Sequence, residues 1–152
     1  MIALDTIDRR ILASLQSDAT LSIADLAERV GLSQTPCWKR IKRLEGAGVI
    51  AGRVALLDRM QLGVGTTVFV SVRTSQHDED WLIQFAEAIR AIPEVTEFYR
   101  MSGDVDYLLK IVCRDIADYD RIYKAMIRAA KLSDVSSSFA MEQIKYTTEV
   151  PI

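Results

Sequence analysis

Four cations stand within five positions of one another: Lys39, Arg40, Lys42 and Arg43. With Arg53 they face only Glu45 across residues 33–53, a local net charge of +4 in a chain whose total is −2. The division continues on a larger scale, with +2 over residues 1–53 and −4 over residues 54–152. A phosphate backbone responds to the local field, so a basic patch of this kind fits a polyanion. The same run also fits an ordinary solvated helix face. A second stretch with chemical potential is Gly103-Asp104-Val105-Asp106. Glycine and aspartate there suit a simple polar turn between strands. Two carboxylates also suit acid/base work, but no nucleophile, histidine or cofactor motif accompanies them. Cys37, Cys113 and a single histidine, His77, are too few for a zinc site or a disulfide framework. No catalytic residue, metal or cofactor is predicted.

The elements that must position the basic run are legible upstream. Leu4, Ile7, Ile11, Leu12 and Leu15 recur at helical spacing and predict an amphipathic helix. Ser17-Asp18-Ala19-Thr20 breaks it. Ser22-Ile23-Ala24-Asp25 has a capping-box form and opens a second helix that buries Leu26, Ala27 and Val30. Gly31 follows where a left-handed residue best ends a helix. Leu32 fills the turn, and Ser33 is placed as the N-cap of a third helix, with Pro36 in its first turn, where the missing N–H costs little. At 100° per residue Cys37, Ile41 and Leu44 share the packing face. Thr35, Lys39, Lys42 and Arg43 project opposite, with Trp38 and Arg40 on the flanks. Three short helices with a Gly-containing turn read as a helix-turn-helix unit. N-terminal residues of such a third helix usually meet base edges in the major groove. Gln34, Thr35, Trp38 and Lys39 are therefore predicted to read bases, with Arg40, Lys42 and Arg43 at phosphates and Ser33 as cap, phosphate contact or both.

After Gly46 and Gly48 an extended segment is predicted from Val49 to Leu57, and a connector to Gly65. The rhythm then changes. A β-branched run at residues 66–72 reads as a strand. Trp81, Phe85, Ala88, Ile89 and Ile92 mark a helix stopped by Pro93, and strands follow at residues 95–101 and 107–113. Ile116, Tyr119, Tyr123, Met126, Ile127 and Ala130 line another helix, and a last strand is predicted at residues 135–146. The order βαββαβ predicts an antiparallel sheet with both helices on one face. Val68, Val70, Tyr99 and Leu109 are placed on the uncovered face, where they would invite a second subunit. Cys37 and Cys113 read as small core residues. The 152 residues hold no run of about 20 apolar residues that would span a bilayer. The N-terminus shows no basic-then-apolar leader, so a soluble cytoplasmic protein without membrane contact is the expectation.

Taken together these residues resemble the Lrp/AsnC, or feast/famine, family of transcription regulators. Asp5-Thr6-Ile7-Asp8-Arg9-Arg10-Ile11-Leu12 is similar to the family's opening helix. Residues 30–45 (Val-Gly-Leu-Ser-Gln-Thr-Pro-Cys-Trp-Lys-Arg-Ile-Lys-Arg-Leu-Glu) resemble its recognition-helix signature. Trp38 departs from the smaller or polar residue more usual there. Gly48-Val49-Ile50 with Ala55-Leu56-Leu57-Asp58 resembles the linker strand, and residues 102–109 the effector-domain hairpin. The resemblance implies an α+β chain. A winged or plain helix-turn-helix at residues 1–52 and a linker strand at 53–65 would precede a ferredoxin-like αβ-sandwich for effector binding and oligomerisation at 66–152.

It also implies a sequence-specific regulator that binds double-stranded DNA and assembles into dimers and then an octamer. A small amino acid would bind between dimers. Gly103, Asp104, Asp106 and Tyr107 would contribute to that site, with Arg100, Ser136 and Ser138 aligned where members shape the response. Ordinary edge-strand chemistry explains Arg100 and the serines equally well. Two other classes fit parts of the chain: an architectural DNA-wrapping protein, and an enzyme like the Lrp-like sirohaem decarboxylases. The latter would need a basic, often histidine-containing pocket, for which His77 is the one histidine available.

Overall fold

The computed structural model describes residues 2–75, 79–129 and 132–152. The polar run around His77, and Ala130 at the end of its helical stripe, lie outside the described residues. The chain divides into two compact units, residues 1–56 with 145–152, and residues 57–144. Residues 145–152 thus group with the helices.

The first unit holds α1 (Thr6–Ser17), α2 (Ile23–Val30) and α3 (Gln34–Gly46). Ile11 and Leu12 of α1, Leu26, Ala27 and Val30 of α2, and Cys37, Ile41 and Leu44 of α3 form its core. The helical spacing of the apolar residues dictates this arrangement, because each helix has one stripe to hide. No strand forms between α3 and residue 66, so the predicted linker strand has no ladder partner among the described residues. A single extended segment lacks the partner that a ladder requires. Val54, Leu56 and Leu57 are exposed along it. The tail returns to α1 through Gln16, whose Nε2 donates to the Val150 carbonyl (3.1 Å) while its Oε1 accepts the Val150 N–H (2.7 Å). The side-chain amide thus pairs with the backbone much as a neighbouring strand would.

The second unit contains β1 (Thr66–Arg73), α4 (Glu79–Arg90), β2 (Val95–Arg100), β3 (Tyr107–Cys113), α5 (Ile116–Ala129) and β4 (Asp134–Phe139). Its antiparallel sheet has the order β2-β3-β1-β4. Val68, Val70 and Val72 of β1 join Tyr107, Leu109, Ile111 and Cys113 of β3 beneath Phe85, Ile89, Tyr119, Ile122 and Met126. The ring of Phe85 lies 5.0 Å from Trp81, 5.5 Å from Tyr107 and 5.6 Å from Phe98. On α5 the buried face centres on Tyr119, Ile122 and Met126, while Ile116 and Ile127 are exposed.

Two expectations are corrected here. Val68, Val70 and Leu109 are fully buried on the helix-covered face and do not belong with Tyr99. Tyr99 pairs in register with Leu108, so it points to the side opposite Leu109. The open face carries Phe69 and Tyr99, 40% and 50% exposed. Strand β4 ends at Phe139 and does not run to Tyr146. Its last ladder bond, Ala140 N–H to the Thr67 carbonyl, uses up the start of β1, and beyond it no partner edge remains.

A charged knot fastens the start of α5. Asp118, almost buried, accepts from Arg114 N (3.2 Å), Arg114 Nε (3.4 Å), Arg121 Nε (3.1 Å) and Arg121 Nη2 (2.9 Å). Arg121 also reaches Glu94. The Arg114 guanidinium and N–H, then Arg121, hold the Asp118 carboxyl at about 2, below its ordinary 3.8. A depressed folded-state value stabilises the fold fully above the unfolded-state value and loses that contribution as pH falls through the folded one. Thermal stability should therefore drop between about pH 4 and pH 2, and Asp118→Asn should make that drop shallower while lowering the neutral-pH melting temperature. Gln16→Ala should raise the hydrogen-exchange rate of the Val150 amide and cost about 1–3 kcal/mol for two lost hydrogen bonds, checked by denaturant titration.

Candidate nucleic-acid interface and effector loop

The turn between α2 and α3 is built by local chemistry. Ser22 caps α2: its Oγ accepts the Asp25 N–H (3.1 Å) and donates to Asp25 Oδ2 (2.6 Å). The reciprocal half of a full capping box, an acceptor for the cap's own N–H, is thus replaced by a hydroxyl contact. Gly31 takes φ 74°, and the N–H groups of Gly31 and Leu32 return to Glu28 and Ala27 in a Schellman closure. A side chain at position 31 would be strained in that left-handed conformation. Ser33 occupies the N-cap of α3 but makes no side-chain cap hydrogen bond. Its hydroxyl is left on the exposed surface beside Gln34 and Thr35, which are exposed too.

Cys37, Ile41 and Leu44 bury one side of α3 completely, as the periodicity predicts. The burial raises the Cys37 thiol pKa, and burial likewise raises that of Cys113. Trp38 on the flank is 47% exposed, an unusual amount of indole to leave in water. The cations differ from one another. Lys42 pairs with Glu45 at 2.8 Å, an exposed i,i+3 contact of small worth. Lys39 has no ion pair among the described residues. Arg40 and Arg43, assigned to phosphates from the sequence, both have intramolecular partners.

Those partners come from the first turn of α1 and its N-cap. Asp8 of α1, with no exposed surface, receives Arg40 Nη1 on Oδ1 (2.8 Å) and Arg43 Nη2 on Oδ2. Arg40 Nη1 also meets Asp5 Oδ2 at 2.6 Å. Asp5 and Asp8 in turn form a reciprocal capping box at the start of α1, with N–H to carboxylate distances of 2.8 and 3.1 Å. Burial pushes the Asp8 pKa upward, but Arg43, the Asp5 N–H and Arg40 overcome it, and the net result lies below the ordinary carboxylate range. The Asp8 N–H and Arg40 likewise lower Asp5, and the two carboxylates raise Arg40. Sequence reasoning missed this network. The spacing Asp5-x-x-Asp8 was a findable cap signal; the pairing with α3 was not, because it exists only after packing.

The hairpin at residues 102–106 joins β2 to β3, with Gly103 at φ 117°. Asp106 is tied into the sheet: its carboxylate accepts the Thr74 N–H (2.8 Å) and its own N–H reaches the Val72 carbonyl (3.0 Å). Arg73 Nε donates to the Asp104 carbonyl at 2.7 Å, a supporting contact the sequence did not suggest. The Asp104 carboxylate has no ion pair among the described residues. Tyr107 is a core residue, 5% exposed, within the aromatic cluster. Arg100 pairs in register with Tyr107 on one edge of the sheet, while Ser136 and Ser138 stand opposite Ser71 and Phe69 on the other. Three strand spacings separate those edges, about 14 Å, so a small ligand held by one chain does not span both. The 102–106 hairpin lies against the end of β1 through Asp104 and Asp106, Arg100 ends β2 on one side of it, and Ser136 and Ser138 lie on β4 on the other side of β1. No cluster of three or more potential metal ligands occurs among the described residues.

Comparison with known proteins matches two families, one on each part of the chain. Residues 4–51 match a winged helix-turn-helix DNA-binding family, and residues 67–150 match the Lrp/AsnC ligand binding domain. The chain is 51% identical over 150 residues to the DNA-binding transcriptional activator DecR of Escherichia coli (strain K12), covering 98% of this chain and 99% of the relative. An AsnC family transcriptional regulator from Agrobacterium tumefaciens superimposes with a TM-score of 0.95 at 59% identity, covering 97% of each chain. A transcriptional regulator from Neisseria meningitidis, solved as a complex with L-Met, superimposes with a TM-score of 0.93 at 33% identity, covering 98% and 97%. All three are transcription regulators, the Escherichia coli one a DNA-binding activator, which points away from the enzymatic reading. The chain belongs to the Lrp/AsnC family of DNA-binding transcription regulators.

Proposed function

We propose that this regulator reads a specific DNA site with the N-terminal half of α3 and answers to a small amino acid at the 102–106 end of its sheet. The observation that carries the DNA reading is the asymmetry of α3: Cys37, Ile41 and Leu44 are buried, while Ser33, Gln34, Thr35, Trp38, Lys39 and Lys42 are exposed. In the major groove Gln34, Thr35, Trp38 and Lys39 meet base edges, and Lys42 and the Ser33 hydroxyl meet phosphates. The L-Met complex of the Neisseria relative supports an amino-acid effector. A free amino acid presents an ammonium, which the Asp104 carboxylate, without an ion pair among the described residues, suits, and a carboxylate, which turn N–H groups suit. The exposed Phe69 and Tyr99 support pairing with a second copy, and dimers build an octamer in the cytoplasm. Several heads then engage one DNA, and effective concentration supplies the affinity that one small head lacks.

Fluorescence anisotropy at ~150 mM salt tests the DNA reading, since non-specific contacts weaken there. Preference for the DNA upstream of its own gene over random duplex is the expected result, and Gln34→Ala should erode that preference. Equal affinity for both duplexes would overturn it. A thermal-shift screen of the twenty amino acids tests the effector. A ligand at 100 times its Kd stabilises by about 2.7 kcal/mol when it binds only the folded state. Asp104→Ala should abolish the shift and leave the unliganded melting temperature in place. Asp106→Ala should lower stability itself by about 1–3 kcal/mol, because it removes the acceptor of the Thr74 N–H.

A further inference from the structure

The buried carboxylate of Asp8 changes how many of the α3 cations are available to DNA. Asp5, Asp8, Arg40 and Arg43 form a set of two negative and two positive charges, closed by three ion pairs. Asp8 contributes both oxygens and has no exposed surface, whereas Arg40 and Arg43 side chains are 29% and 49% exposed. An arginine that left Asp8 for a phosphate would weaken the pairing of a carboxylate that water does not reach, and unpaired buried charge is strongly unfavourable. A phosphate contact offers no comparable penalty for being missed, since the phosphate keeps its counterions. The guanidiniums therefore stay with Asp8. Their forked, planar geometry also anchors α3 at two successive turns of one flank, which fixes its roll about its own axis.

We propose that Asp8 is a specificity-determining positioning residue: it holds Arg40 and Arg43 on the protein side, which lowers sequence-independent attraction to DNA and fixes the roll of the face from Gln34 to Lys39. Non-specific binding scales with the number of phosphates neutralised, so two sequestered cations reduce the background against which base contacts must compete. The inference rests on α3 being the helix that meets DNA. It replaces the assignment of Arg40 and Arg43 to phosphates with a role through Asp8.

The test measures the dependence of log K on log salt concentration for full-length protein, on the preferred duplex and on random duplex. Wild type is compared with Asp8→Asn, Arg43→Gln and Lys39→Gln, with circular dichroism melts as the check on folding. Lys39→Gln removes an exposed cation from the DNA-facing side of α3 and should reduce the slope by up to about 0.9 per head engaged. Arg43→Gln leaves Asp8 its second guanidinium and should change the slope by much less. Asp8→Asn should steepen the slope on random duplex by up to about 0.9 per freed guanidinium and head, and shrink the ratio of specific to random affinity. A merely structural Asp8 would lower the melting temperature and leave slope and ratio unchanged, which overturns the proposal. An Arg43→Gln slope reduction equal to that of Lys39→Gln overturns it as well, and decides alone if Asp8→Asn does not fold. If neither Lys39→Gln nor Arg43→Gln moves the slope, α3 is not the DNA-facing helix, and that underlying reading fails separately.

Discussion

A carboxylate cut off from water must be matched charge for charge, and Asp8 imposes that condition on the helical unit. It completes the capping box of its own helix by accepting the Asp5 N–H, and takes a guanidinium on each oxygen. The apolar contacts of Cys37, Ile41 and Leu44 bring α3 onto the core but are tolerant of small rotations, since aliphatic packing is not directional. Ion pairs with fixed hydrogen-bond geometry are directional. The apolar core therefore decides that α3 packs, and the charged set decides at which angle its outer face is presented. A reading head needs both, because a base contact misplaced by an ångström is no contact.

Much of this was legible before any coordinates. Helical spacing identified the buried stripe of α3, and Gly31 and Ser22 marked the turn and the cap, because those signals are local and the rules behind them concern single turns of helix. The misassignments have equally physical reasons. β1 is apolar on neighbouring positions, with Val68, Phe69 and Val70 in succession, so alternation alone does not say which set faces the helices; the pairing of Tyr99 with Leu108 does. The composition of residues 135–146 suggests one long strand, but the length of a strand is set by the edge it pairs with. The ion pairs of Arg40 and Arg43 join residues 32 and 35 positions apart and leave no periodic trace.

The candidate effector residues divide along the same line. Asp104 and Asp106 are alike in type and two positions apart, yet among the described residues only the Asp106 carboxylate is an acceptor at the end of β1. Tyr107 looks like part of the hairpin and is part of the aromatic core. Turn composition announces that a loop is polar; it does not say which of its carboxylates the fold has already used.

The tail held by Gln16 makes the helical unit discontinuous in sequence, with the whole sheet unit lying between its two pieces. During synthesis α1, α2 and α3 emerge first and have everything they need to pack. Gln16 does not. Its backbone partners belong to Val150, made after the entire βαββαβ segment, so α1 waits on that segment for one of its contacts. A ribosome stalled in the effector segment would present a head with its helices in place and one anchoring site still open.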